Sequence, residues 1–153
     1  MVENLKVIAE DICRWGSSDR SKLPNRVVFL QKQLLHLYVL ERTFLEPSFE
    51  EFEDNLTPPD FKFDSVRKGI EKNLPELGYY HKVLNPLNIS EDPKIGTADA
   101  VDDLTDIIKD LTEFIWRANN SSEIEAIWHF KFNFRAHTND HLIGLLNYLG
   151  VDK

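Results

Sequence analysis

Two histidines in the last fifth of the sequence, His137 and His141, are four residues apart. On an α-helix this spacing places both imidazoles on one face, where they can share a metal ion. The two histidines belong to a stripe that spans an arc of about 80° at helical period; its members are Ile127, Phe130, Phe134, His137, His141, Leu145 and Tyr148. Because the stripe is otherwise apolar, we expect both imidazoles to point towards the interior of the protein.

The polar residues between these histidines allow two interpretations. Residues 137–141 read His-Thr-Asn-Asp-His in the middle of an apolar helix, and burying them without partners is costly. We favour hydrogen-bonded core or boundary histidines, since two histidines four residues apart arise often by chance. The alternative is a divalent metal held by His137 and His141, with His36 as a third ligand if its helix is a neighbour. Apart from this metal, no cofactor is predicted.

A second group of candidate residues is a row of acids that ends shortly before the histidines: Asp99, Asp102, Asp103, Asp106, Asp110 and Glu113. At helical spacing, four of these acids share the face opposite the leucines and isoleucines: Asp102, Asp106, Asp110 and Glu113. Such rows can bind Mg²⁺, but we interpret this one as a solvated face that also complements the helix dipole. Asp103 lies at the edge of the apolar stripe, and we expect it to be half-buried and paired.

Sequence motifs of known enzyme classes are absent. The chain has no G-x-S-x-G, phosphate-binding glycine loop, C-x-x-C pair or H-E-x-x-H. Its single cysteine, Cys13, lies on a helical pattern with Ile8, Ile12 and Trp15, so we interpret it as a small buried apolar residue rather than a nucleophile. An enzymatic function is therefore not indicated.

The elements that must position these residues are helices. Apolar residues recur at three- and four-residue spacing over residues 2–15 and again from Ser21 or Pro24 to just before Pro47. In the second helix the apolar set is wide and includes Val28 and Leu35, which predicts packing on more than one side.

Residues 98–118 and 123–149 form the clearest helices. We predict that Thr97 caps the first of them, and that Ser122 and Glu125 form a capping box for the second, which ends at Gly150. The turn between the helices is short, so they are expected to lie antiparallel.

Residues 46–96 contain six of the seven prolines and are predicted to be irregular. A short helix over residues 47–52 and a helix capped by Asp64 and running to Leu74 are indicated. Residues 79–84 fit either one helical turn or a short extended piece. The sequence does not decide the structure of this middle segment.

Composition limits the function classes. A chain of 153 residues is predicted to be one domain, residues 1–153. The net charge of −8 without a Lys/Arg cluster argues against nucleic acid and anionic membranes as partners. No apolar run approaches the roughly 20 residues that span a bilayer, and the first residues do not form a signal peptide, so we expect a cytoplasmic protein. The sequence identifies neither a protein partner nor an oligomeric state.

Three segments together resemble a bacterial family of uncharacterised domains: residues 79–87 (YYHKVLNPL), 100–111 (AVDDLTDIIKDL) and 126–137 (AIWHFKFNFRAH). This is the domain-of-unknown-function family numbered five thousand and sixty-three, and the resemblance covers residues 79–149. It implies a small helical protein and no particular activity. The positions that match its motifs are Asp102, Asp103, Asp106, Trp128, His137 and His141. The chain departs from the family pattern at Thr138 and Asn139, where tryptophan and glycine are usual.

Together these observations predict an all-α fold: an antiparallel bundle of five or six helices with an irregular, proline-containing middle segment. The function we favour is that of a non-enzymatic interaction or structural protein. The alternative is a metal-binding helical bundle that uses His36, His137 and His141, by architectural analogy with the DinB-like proteins. An acidic-helix nucleotide phosphohydrolase ranks last because the chain lacks clustered Glu-x-x-Glu pairs.

Overall fold

The computed structural model describes residues 2–44 and 56–151, of which 68% are helical. The mostly helical class predicted from the sequence is confirmed. The elements follow in the order α1 (Val2–Ser17), α2 (Arg26–Thr43), α3 (Phe63–Asn73), β1 (Tyr79–Val83), β2 (Ile95–Asp99), α4 (Ala100–Asn120), α5 (Glu123–Asn133), a π-helical segment (Phe134–Thr138) and α6 (Asn139–Gly150). The last three follow one another without a break and form one long helical rod.

Helix α4 lies at the centre of the fold and packs against α1, α3, α5 and α6. Its buried apolar residues recur at helical spacing, among them Leu104, Ile108 and Leu111. They meet the buried stripe of α1, formed by Leu5, Ala9, Ile12 and Trp15. One contiguous core therefore holds α4 in place, and α4 carries the row of acids.

Helices α1 and α3 approach each other at two glycines. A Cβ placed on Gly69 would collide with the backbone carbonyl of Gly16, and one placed on Gly16 would lie 2.5 Å from the Cγ1 of Val66. The absence of both side chains lets the two backbones touch. This contact fixes α3, whose Arg67 forms ion pairs with Asp99 and Asp102 at the start of α4.

The middle segment contains an antiparallel hairpin. Its first strand agrees with the extended alternative for residues 79–84, whereas its second strand was not predicted from the sequence. Strand β1 pairs with β2 in a register that places Tyr79 opposite Asp99 and Val83 opposite Ile95. Thr97 therefore lies in a strand, and the prediction that it caps the next helix is wrong. Asp99 takes that role, since its side chain accepts a hydrogen bond from the Val101 amide at 3.0 Å.

Three other local predictions differ from the structure. Asp64 lies in the first turn of α3 rather than at its N-cap, which is Lys62. Val28 and Leu35 are exposed, so α2 packs on a narrower face than its composition indicated. Helix α2 begins only after Asn25, which has the left-handed backbone conformation (φ 52°). The short helix predicted for residues 47–52 lies outside the described residues.

The start of α5 agrees with the sequence prediction. The Ser122 hydroxyl accepts a hydrogen bond from the Glu125 amide at 3.2 Å, as expected for an N-cap. Within the ranges 2–44 and 56–151, no helix has both the length and the apolar character needed to cross a bilayer.

Candidate functional site

The site is formed where α4 faces the π-helical segment and the start of α6. In a π turn the backbone hydrogen bonds span five residues instead of four, which inserts one residue and rotates the side chains that follow. The Asn139 amide accordingly bonds to the Phe134 carbonyl. Two consecutive side chains of this segment, His137 and Thr138, contact the same carboxylate, Asp110.

Each histidine is held from behind by a buried carboxylate of α4. The Nδ1 atom of His137 lies 2.8 Å from Oδ2 of Asp110, and the Nδ1 atom of His141 lies 2.7 Å from Oδ1 of Asp103. Asp103 and Asp110 are only 5% and 8% exposed. Both imidazole rings are therefore oriented by groups that solvent hardly reaches.

A hydroxyl group also donates to each of these carboxylates. The Tyr80 hydroxyl donates to Oδ2 of Asp103 at 2.6 Å, and the Thr138 hydroxyl donates to Oδ2 of Asp110 at 2.7 Å. Burial and, to a smaller extent, the hydrogen bond to Asp103 raise the pKa of the Tyr80 hydroxyl. The hydroxyl therefore stays protonated and acts as a donor. Gly144 makes room for it, because a Cβ at that position would lie 2.5 Å from the Tyr80 oxygen. The hairpin thus positions Tyr80 behind His141.

The remaining ring nitrogens converge on one point. The Nε2 atoms of His137 and His141 are 3.1 Å apart, and Oδ2 of Asp106 lies 3.7 Å from the Nε2 atom of His141. One ligand atom from each of these three residues lies within 4.8 Å of the other two. The three side chains are partly exposed, at 39% for His137, 22% for His141 and 28% for Asp106. The site is therefore open to solvent on one side.

The hydrogen bonds constrain where protons reside. An ionised carboxylate only accepts, so each Nδ1 atom carries a hydrogen and donates it to Asp103 or Asp110. Both Nε2 atoms of neutral rings would then present lone pairs to each other across 3.1 Å. Such a pair is stable only with a proton or a metal ion between the nitrogens. The hydrogen bond to Asp103 raises the pKa of His141, and this outweighs the opposite effect of burial.

Three of the acids on α4 therefore belong to the site. Asp103, Asp106 and Asp110 are separated by three and four residues, which places them on one face. The expectation that Asp103 is paired is confirmed, and it is more deeply buried than expected. The interpretation of Asp110 as part of a solvated face is wrong, because Asp110 is buried against His137 and Thr138. The spacing of these three acids was the signal that could have identified Asp110 as a partner of the histidines.

Other predicted residues lie apart from this cluster. His36 is exposed on α2, and the structure does not bring it into the group formed by Asp106, His137 and His141. Asp102 is 61% exposed and paired with Arg67. Trp128 stacks on Phe132, with ring centroids 5.5 Å apart.

Cys13 also lies outside the cluster. Its sulfur contacts the Ile108 carbonyl oxygen at 3.8 Å, and burial raises the pKa of the thiol to about 11. Cys13 is therefore protonated at neutral pH and packs against the core, but it is half-buried rather than buried as the sequence predicted.

Comparisons with known proteins agree with this fold. A family model described as "Domain of unknown function (DUF5063)" matches residues 21–150, which extends well beyond the segments that carried the resemblance. Among solved structures, protein BF1032 from Bacteroides fragilis is similar in fold, with a TM-score of 0.70 and 19% sequence identity. The similarity covers 97% of this chain and 89% of that one. None of the curated proteins matches the chain.

Proposed function

The chain belongs to the DUF5063 family, and we propose that it binds a divalent transition-metal ion at Asp106, His137 and His141. The observation that carries this proposal is the pair of Nε2 atoms 3.1 Å apart, each on a ring whose Nδ1 atom contacts a buried carboxylate. Nitrogen ligands bind transition metals at about 2.0–2.1 Å, so two of them lie about 3.0 Å apart at right angles and about 3.4 Å apart in a tetrahedron. The observed separation falls within this interval.

The groups behind the rings support the same conclusion. Histidines that bind metals usually donate their second nitrogen to a carboxylate, which fixes the tautomer and makes the ligating nitrogen more basic. Asp103 and Asp110 stand in this relationship to His141 and His137. Two imidazoles and one carboxylate suit Zn²⁺, Fe²⁺, Co²⁺ or Ni²⁺ better than Mg²⁺ or Ca²⁺, which prefer oxygen ligands.

Metal binding can be tested by thermal unfolding and titration calorimetry of the full chain after treatment with a chelator. Zn²⁺, Co²⁺ and Ni²⁺ should stabilise the fold by mass action, by about 2.7 kcal/mol at a hundredfold excess over the dissociation constant. His137→Ala and His141→Ala should abolish the effect. His36→Ala is the matched control and should retain it, since His36 is an exposed histidine outside the cluster. Equal stabilisation of the wild type and both site variants would refute the proposal.

The second candidate function is the one favoured by the sequence, a non-enzymatic interaction or structural protein of the cytoplasm. The observation in its favour is the connection between β1 and β2, where Leu87 and Ile89 are 95% and 96% exposed. In that case the imidazole pair shares a proton and only stabilises the fold. The calorimetric experiment separates the two functions, because this candidate predicts no stoichiometric metal binding.

A further inference from the structure

The three proposed ligands come from two helical elements that pack against each other. Asp106 lies on α4, whereas His137 and His141 lie in the rod that packs against it. No fourth histidine, cysteine, aspartate or glutamate of the described ranges contributes a ligand atom to this group. Asp103 and Asp110 bond to the Nδ1 atoms, on the far edges of the rings. Transition metals bind four to six ligands, so a metal held by these three side chains has positions left to fill.

These positions face solvent rather than the core. All three ligand side chains are partly exposed, in contrast to the buried Asp103 and Asp110 behind them. Structural zinc sites are closed by four protein ligands, whereas sites that process small molecules keep a position for water or substrate. The proposed site, with three protein ligands and a solvent-facing side, resembles the sites that keep a position for water or substrate.

The charge around the site limits which ligands can enter. Asp103, Asp106 and Asp110 carry three negative charges, and a divalent ion supplies two positive charges, which leaves one negative charge. Lys82, which reaches this face from the hairpin, is already paired with the carboxylate of Asp140. An anion would therefore approach a site that stays negative even with its metal bound.

On these grounds we infer that the metal site, if the proposed function holds, is open and accepts neutral oxygen or nitrogen donors in preference to anions. We expect the metal to bind water and imidazole-type bases. We expect it to exclude the anionic ligands phosphate, azide and carboxylate.

Cobalt substitution of the full chain tests this inference by visible absorption rather than by activity. Co²⁺ with open positions filled by water should give the weak absorption of five or six ligands, and imidazole should shift the spectrum saturably. Phosphate and azide, at the same concentrations and ionic strength, should cause no shift. In Asp140→Asn, which removes a negative charge beside His141 and leaves Lys82 unpaired, phosphate or azide should shift the spectrum at concentrations that cause no shift in the wild type.

The possible outcomes separate the two proposals. A strong tetrahedral spectrum that does not respond to imidazole would overturn the open site while leaving metal binding intact. Tighter binding of azide or phosphate than of imidazole would overturn the ligand class. Failure to bind Co²⁺ at all would overturn the proposed function, and the inference with it.

Discussion

The Nε2 atoms of His137 and His141 face each other across 3.1 Å, while the opposite edge of each ring contacts a buried aspartate. The two aspartates hold the imidazole rings in a fixed orientation, with their Nε2 atoms next to each other. The two rings meet at a centroid distance of 4.6 Å with an interplanar angle of 68°. In this T-shaped arrangement each ring still brings its Nε2 atom close to that of the other ring.

The buried Asp110 should differ sharply from the exposed Asp102. Asp110→Asn removes a charge-assisted contact with His137, so we expect a loss of about 1–3 kcal/mol in the free energy of unfolding. It should also weaken metal binding about 10–100-fold, as is usual for groups that orient a ligand. Asp102→Asn, at a 61% exposed position, should change stability by about 1 kcal/mol or less. Denaturant unfolding and metal titration measure both effects. Indistinguishable results for the two variants would contradict the placement of Asp110 in the site.

The hydroxyl group of Tyr80 should contribute to the stability of the fold. Tyr80→Phe leaves an oxygen of the buried Asp103 without its donor, which should cost about 1–3 kcal/mol of stability. The neighbouring Tyr79 is 74% exposed, and Tyr79→Phe should be nearly neutral, within about 0.5 kcal/mol. Thermal or urea unfolding compares the two single-oxygen deletions directly. If Tyr79→Phe proved the more harmful, the hairpin would not support the site as described.

Gly144 and Tyr80 should show strong coupling in a double-mutant cycle. A methyl group at residue 144 would lie 2.5 Å from the Tyr80 hydroxyl oxygen, so Gly144→Ala should displace Tyr80 and break its bond to Asp103. In the Tyr80→Phe background that oxygen is gone, and the same glycine substitution should cost less. We expect a coupling energy of about 0.5–3 kcal/mol, measured from four unfolding curves. Strictly additive effects would argue against this contact.

Gly69 should be among the least replaceable glycines. Gly69→Ala places a methyl group against the backbone carbonyl of Gly16, and a backbone cannot move aside as a side-chain tip can. Overpacking of this kind costs about 1–3 kcal/mol or more. Gly150→Ala is the control, because a Cβ there meets nothing within 4 Å. The free energies of unfolding of the two variants provide the test, and a tolerated Gly69→Ala would show that α1 and α3 do not touch in solution.

Cys13 should react slowly with alkylating agents. Its pKa of about 11 leaves about one thiol in a thousand ionised at pH 8, and the thiolate is the reactive form. Alkylation by iodoacetamide, followed by mass spectrometry, should therefore be at least about tenfold slower in the native protein than in urea-unfolded protein at the same pH. Rapid labelling of the native protein would show that Cys13 is more accessible than its packing against α4 indicates.

Much of the fold is determined by short-range sequence pattern. The buried positions of α1 and α4 repeat at helical period, and a serine followed by a glutamate three residues later sets the start of α5. These features depend on residues a few positions apart, so they can be predicted from the sequence without the structure. The hairpin is different, because Tyr79 and Asp99 pair across 20 residues, and the alternation within each five-residue strand is too short to distinguish it from a turn.

The geometry of the site also depends partly on sequence spacing and partly on tertiary packing. Sequence spacing alone places His137 and His141 one helical turn apart, and it places Asp103, Asp106 and Asp110 on one face of α4. Which face of α4 meets the histidines is decided by the packing of α1, α3 and the last rod around α4, together with the π turn that rotates His137 and Thr138 towards Asp110. The contribution of Tyr80 depends on the hairpin crossing α6 at Gly144, the position without a side chain. Those relationships join residues far apart in the chain, and only the tertiary structure brings them within hydrogen-bonding distance.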